Sequence, residues 1–287
     1  MLSKEDKIFL ALYSDSEYEK PSVTVDAVIL RIKSVENKNY RKLPEKRLQV
    51  FLSKRAYSPF KDQYALTGTF IDLNHELSDT MKLCVKNKVG LENYYYEQLF
   101  TFGDKSRDPR TRVLSVSYML LTNEEQQLEN GSWFDIDVKE ISSATQTTST
   151  GFSIDKKISL TLKNDSTTIE NIIKVTNQKN NLEETKTITA SQNNLAFDHI
   201  KIIYYALERL KNKLEYTDII FNMLPKEFTL TELKQCYEVI LNEHLLDANF
   251  RRKTTKMVTP TNNYEESKGH RTSKLFTHNP SWTVNLD

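Results

Sequence analysis

The sequence predicts a mixed α/β sandwich followed by an all-α, winged-helix domain. Three observations predict it. Apolar β-branched runs surround one helical pattern in the first half. From Leu195 the apolar spacing turns helical and stays so over several segments. Basic residues then gather near the end of a chain whose formal net charge is only +1.

Composition sets the outer limits. With 287 residues the chain is long enough for two domains. Hydrophobic residues at 38% and charged residues at 28% describe a globular protein with a polar surface. Near-neutrality excludes a molecule that binds nucleic acid or membrane with its whole surface, so any such role rests on a local cluster. Cys84 and Cys236 lie far apart inside apolar-periodic stretches. They read as reduced core residues of a cytoplasmic protein, not as a disulfide or a zinc site. The patch Ile8, Phe9, Leu10 and Leu12 is too short and too acidic in its setting for a signal peptide, and no apolar run approaches a membrane span.

In chain order, Val23 to Ile32 and Arg47 to Lys54 are predicted strands, with a polar loop from Ser34 to Glu45 between them. Tyr64 to Phe70 is a third. His75 to Val89 has helical spacing, and Gly90 ends it as a C-terminal cap. Tyr94 to Phe102 and Val113 to Leu121 are again strands. Residues 124–194 read as an insertion on this unit: a strand at Trp133 to Val138, a mobile Ser/Thr/Gln loop from Ser142 to Thr150, then a small meander or hairpin at Ile158 to Leu162, Ile169 to Val175 and Thr185 to Ala190. The first domain is thus placed at 1–194 and the second at 195–287.

In the second, Leu195 to Lys213 puts Ile200, Ile203, Tyr204, Leu207 and Leu210 on one face. A shorter helix, Tyr216 to Met223, is closed by Pro225. Thr229 and Glu232 have capping-box spacing ahead of Leu233, Tyr237, Ile240 and Leu241. A turn at Asn242 to Leu246, a helix from Asp247 through Met257 and a hairpin about Gly269 complete the winged variant of the helix-turn-helix.

Leu66-Thr67-Gly68-Thr69-Phe70-Ile71, followed by a helix ending in Val89-Gly90-Leu91, resembles the Nudix segment. In Nudix hydrolases glutamates on one helix face hold divalent cations against a pyrophosphate. Aligned without a gap, His75 stands at the first of these glutamates, Leu83 and Cys84 at the Arg-Glu pair, and Asn87 and Lys88 at the two metal-binding glutamates. A lysine there repels a cation. The resemblance therefore implies a Nudix-like scaffold with no catalytic residues, no metal and no cofactor.

Further blocks narrow it. Tyr96-Glu97-Gln98-Leu99-Phe100-Thr101-Phe102-Gly103-Asp104 and Arg107-Asp108-Pro109-Arg110-Thr111-Arg112 come first. Leu195-Ala196-Phe197-Asp198-His199, Phe228-Thr229-Leu230-Thr231-Glu232-Leu233 and Asn249-Phe250-Arg251-Arg252-Lys253 follow in order. Together they are similar to the Nudix-related transcriptional regulators of the NrtR type, over about residues 23–278. That resemblance implies a homodimer whose Nudix-like domain senses a small-molecule effector, ADP-ribose or in a sister branch a pentose, and whose winged helix binds double-stranded operator DNA.

The candidate ligand-binding residues are Arg55, Arg107, Asp108, Arg110, Arg112 and Phe102. The guanidiniums offer planar forks to a pyrophosphate or to sugar hydroxyls, and Phe102 offers a ring to a base. Against this, Asp108 equally fits a partner that pins a turn, Arg112 a solvated strand edge, and alternating aromatics a core. His199 beside Asp198 reads as a hydrogen-bonded pair at a helix start, without metal.

For DNA, Asp247 to Phe276 holds seven basic residues against three acidic ones. Asn249, Arg251 and Arg252 are candidates on the recognition helix, with Asn249 and Arg252 suited to base edges. Lys253 and Lys256 suit phosphates, and His270, Arg271 and Lys274 belong to the wing. The leading reading is a ligand-responsive transcriptional regulator. The alternatives are a Nudix hydrolase of nucleoside diphosphate derivatives using Glu76 and Asp79, and an interaction protein whose winged helix binds protein.

Overall fold

The structure, a computed structural model, describes residues 2–14, 18–37, 43–124, 129–180, 182–265 and 272–282. After a short helix, α1 (Lys4–Leu12), capped by Ser3 and Asp6, come the strands β1 (Ser22–Val35), β2 (Glu45–Lys54), β3 (Tyr64–Ala65) and β4 (Thr67–Phe70). Helix α2 (Leu77–Val89) leads to β5 (Tyr95–Phe102) and β6 (Val113–Leu121). Four long strands follow: β7 (Ser132–Thr148), β8 (Gly151–Lys163), β9 (Thr168–Asn180) and β10 (Glu184–Gln192). The chain then runs through α3 (His199–Lys213), a 3-10 turn at Ile219–Met223, β11 (Phe228–Thr229), α4 (Leu230–Leu241), α5 (Asp247–Thr254), β12 (Val258–Glu265) and β13 (Ser273–His278).

One mixed sheet carries the first half, in the order β10-β9-β8-β7-β2-β1-β6-β5. Strand β1 pairs parallel to β6 and antiparallel to β2 and β4. Its near-continuous apolar run is explained by burial on both faces. Val25, Ala27 and Ile29 pack with Met81, Val85 and Val89 of α2, whereas Val28 and Leu30 face Ile200 and Ile203 of α3. The period-two alternation thus sorts one strand between two helical layers. Gly90 adopts the left-handed conformation at φ 72°, and its N–H caps the Lys86 carbonyl of α2.

Residues 132–192 form a continuous antiparallel meander hydrogen-bonded to β2. The Ser142–Thr150 tract, expected as a mobile loop, is instead mostly the far end of β7, paired from Ser142↔Lys157 to Thr148↔Gly151. Its residues 142–147 are exposed, so no apolar alternation marks it. Threonine's β-branching and the ladder itself hold it extended.

Helices α3 and α4 pack on the sheet face opposite α2. A single buried cluster runs from Val50, Phe134 and Leu160 of the sheet through Leu210 of α3 to Leu233, Tyr237 and Phe250. Polar ties reinforce it: Lys46 to Glu232 at 3.0 Å, Gln235 to the Pro44 carbonyl at 3.1 Å, and Asn242 to the Val138 carbonyl at 2.9 Å. The Thr229–Glu232 capping box forms as the sequence predicts. No helix among the described residues is long and apolar enough to cross a membrane.

Candidate functional site

A cavity of about 230 Å³ opens where β1, β4 and the end of α2 meet the 103–112 loop and the start of α3. Gly68 is required at its floor. A Cβ there would lie 2.0 Å from Asp26 Oδ1 and 2.8 Å from the Val25 carbonyl oxygen, so only glycine lets β4 lie against that carboxylate. Larger hollows of about 460 and 720 Å³ lie along the meander. The smaller cavity is distinguished by four buried ionisable side chains in its walls, Asp26, Arg107, Asp108 and His199.

Arg107 is the centre of these. Its guanidinium donates bidentately from Nε and Nη2 to Asp198, at 3.1 and 2.8 Å, with both side chains under 10% exposed. Nη2 also lies 3.8 Å from Asp26 Oδ2, and Ser115 donates to the same oxygen at 2.5 Å. His199 accepts the Leu66 N–H at Nδ1 (2.9 Å) and turns Nε2 toward Asp26 at 3.8 Å. Nδ1 therefore carries no proton. Burial pushes the imidazole pKa down against the pull of Asp26 and Asp198, which favours the neutral ring.

The mouth holds a second tier. Arg110 forks onto Asp108 at 3.0 and 2.8 Å, and holds that carboxyl below its ordinary range. Its guanidinium lies 5.6 Å from the Phe70 ring centre and 5.9 Å from that of Phe197. Arg55 donates to the Pro59 carbonyl at 2.9 Å and lies 4.7 Å over Phe197. Burial and the nearby Arg110 lower its pKa. Lys88, at the end of α2, donates to the Gly68 carbonyl at 2.5 Å.

Four of the six sequence-derived ligand residues thus line one cavity: Arg55, Arg107, Asp108 and Arg110. Two do not. Phe102 packs against Phe100 and Tyr205 of α3, with ring centres at 5.3 and 5.8 Å, because its side of β5 faces the helix layer. Arg112 is exposed at the start of β6, where its carbonyl accepts the Ser22 N–H. Nor do Asp198 and His199 bond to each other as the pair expected at the helix start, for Asp198 bonds Arg107 and His199 the Leu66 N–H. Asp198 occupies the N-cap of α3 without a side-chain cap bond, because Arg107 takes both carboxylate oxygens. Asp26, Phe70, Lys88 and Phe197 line the cavity and were not anticipated as ligand residues. For Lys88 the signal was present, as a cation at a position where the resemblance implies a carboxylate.

The second candidate site is built on α5. Phe250 and Thr254 are buried, one turn apart, with the Phe250 ring 5.5 Å from that of Tyr237. That fixes the opposite face of the helix outward. Strand β13 pairs with β12 as a hairpin and with β11 ahead of α4.

Residues 220–277 match the family described as the NrtR DNA-binding winged helix domain. The C-terminal unit is a winged helix, similar to that family over these residues. Over the whole chain, the "ADPR responsive transcriptional repressor NtrR" of Acinetobacter baylyi is 27% identical across 282 residues, covering 94% of this chain and 87% of that protein. A MutT/nudix family protein from Enterococcus faecalis superposes with a TM-score of 0.63 at 25% identity, over 97% of this chain and 94% of that one. Shewanella oneidensis NrtR, solved with a 27mer DNA, shares the fold, with a TM-score of 0.59 at 22% identity over 90% and 94%. The arrangement is therefore a Nudix-like mixed sheet followed by a winged helix.

On the winged helix, Asn249, Arg251 and Arg252 are exposed on α5 and Lys274 on β13. Asp247, the acid at the start of α5, is neutralised by Lys234 of α4 at 2.5 Å. Lys253 differs from its neighbours, for its ammonium lies 5.4 Å over the Tyr237 ring and burial lowers its pKa. Lys256 follows α5 and is exposed, and its carbonyl accepts from Asn279. His270 and Arg271 lie outside the described residues.

Proposed function

We propose that the chain is a ligand-responsive transcriptional regulator, with residues 1–194 as a non-catalytic sensor of ADP-ribose or a close relative and residues 195–287 binding double-stranded operator DNA. The effector is favoured by the A. baylyi repressor's description and by the cavity's chemistry. Arg55, Lys88 and Arg110 present cations at one opening, as a diphosphate requires. The volume suits a diphosphate and a sugar, and Phe70, 47% exposed at the mouth, offers a ring face to a base.

The observation that carries the regulatory reading is the shared wall. Phe197 and His199 line the cavity and belong to the segment that begins α3, while Arg107 holds Asp198 at its N-cap. A ligand phosphate that draws on Arg107 or Arg110 competes with Asp198 or Asp108. It thereby biases the placement of α3, which packs in one core with the winged helix. In a homodimer that bias changes how two recognition helices fit two half-sites. Glu76 and Asp79, the carboxylates a hydrolase would need, do not line the cavity, and Asp79 is held by Lys82 at 3.0 Å.

Thermal unfolding of the full chain in chelator, with ADP-ribose, NAD and pentoses, tests this reading. ADP-ribose at about a hundred times its dissociation constant is expected to add about 2.7 kcal/mol of stability. No ADP-ribose should be consumed when Mg²⁺ is restored. Stabilisation by a pentose alone would move the effector to the sugar class, and Mg²⁺-dependent cleavage would replace the sensor by a hydrolase.

A further inference from the structure

The Nudix resemblance implies divalent cations held at the end of α2, and the residues present do not fit them. Asn87 and Lys88 occupy the positions of the two carboxylates, and no group of three metal-binding side chains forms among the described residues. What stands there is itself a cation. Lys88 lines the cavity and reaches across to the Gly68 carbonyl on β4 at 2.5 Å, with no carboxylate partner among the described residues.

The other cations of the cavity are differently committed. Arg107 is neutralised by Asp198, and Arg110 by Asp108. Arg55 donates to backbone carbonyls and lies over Phe197. Lys88 is thus the cavity's compact charge with an exchangeable partner. A neutral carbonyl is a weaker acceptor than a phosphate oxygen, so an entering anion displaces that bond at little cost.

We propose that Lys88 is an anion-binding residue, a tethered cation that receives a phosphate or diphosphate group and removes any need for a divalent metal in binding. The inference rests on the reading of the cavity as a phosphate-bearing ligand site, and deepens it by naming the group that meets the charge. A metal brings polarising power and an activated water, whereas an ammonium brings charge and hydrogen bonds alone. The same substitution therefore supports binding without turnover.

The test is calorimetric titration of the full-length protein in chelator with two probes, ADP-ribose and inorganic pyrophosphate. Both are expected to bind the native chain, with affinities that Mg²⁺ does not improve. Lys88→Met should weaken each by about 10- to 100-fold, the range of a charge-assisted hydrogen bond. Lys88→Arg should keep most of the affinity, and Lys88→Glu should lose it. Lys88 is exposed, so unchanged melting of the variants shows that folding is intact. Equal binding by native chain and Lys88→Met overturns the proposal while leaving the sensor reading in place, as does binding that requires Mg²⁺. Lys88-dependent binding of pyrophosphate without binding of ADP-ribose supports the proposal and removes ADP-ribose as the effector. Binding of neither probe overturns both.

Discussion

Replacing Arg251 and Arg252 together by alanine is expected to weaken operator binding by about 100- to 1,000-fold near 150 mM salt, since one base-edge contact and one phosphate contact are each worth roughly 1–3 kcal/mol. The basis is the orientation of α5. Phe250 and Thr254 are locked inward against the Tyr237 side of the domain, so Arg251 and Arg252 between them face out. With Asp247 engaged by Lys234, the helix surface keeps its positive charge. Fluorescence anisotropy across a salt series checks the origin of the loss, because a lost phosphate contact reduces the slope of log affinity against log salt by about one. Both arginines are exposed, so melting should be unchanged. Unaltered affinity would place the DNA surface elsewhere.

Arg107→Met is expected to destabilise the fold by about 3–5 kcal/mol, the cost of leaving a buried carboxylate without its partner. Asp198 and Asp26 both face the lost guanidinium. Adding Asp198→Leu should recover a large part of that loss, because it removes the stranded charge. Chemical denaturation of the two single variants and the double variant measures the coupling. The recovered double variant should also separate the functions, folding and binding DNA while responding weakly to effector. Additive losses would show that Arg107 and Asp198 do not act as a unit.

Much of the architecture is legible in the residues. Val23 to Ile32 reads as a strand because it is apolar on both faces, and the Thr229–Glu232 box forms at the start of α4. The illegible parts share a physical cause. The outer half of β7 has no buried face, so hydrogen-bond pairing alone defines it. Phe102 is drawn to Tyr205, and Arg107 to Asp198 across 91 positions. Such pairings follow from topology and leave no local pattern. The arginines of the 103–112 loop announce anion chemistry, but which are already satisfied depends on carboxylates that only the fold brings near. Lys88 illustrates the limit. Its charge argues against a metal in the sequence, and its bond to Gly68 shows where that charge sits.

If cavity and winged helix share one equilibrium, titrating ADP-ribose into the full chain, free and bound to an operator fragment recovered by selection, reads it most directly. Coupling between binding sites is reciprocal, so DNA must change ADP-ribose affinity by the factor by which ADP-ribose changes DNA affinity, about 5- to 150-fold for ordinary allosteric coupling. A shared factor of that size, well away from one, is the predicted result. An ADP-ribose affinity identical in the free and DNA-bound protein would contradict the account, whatever each site binds alone.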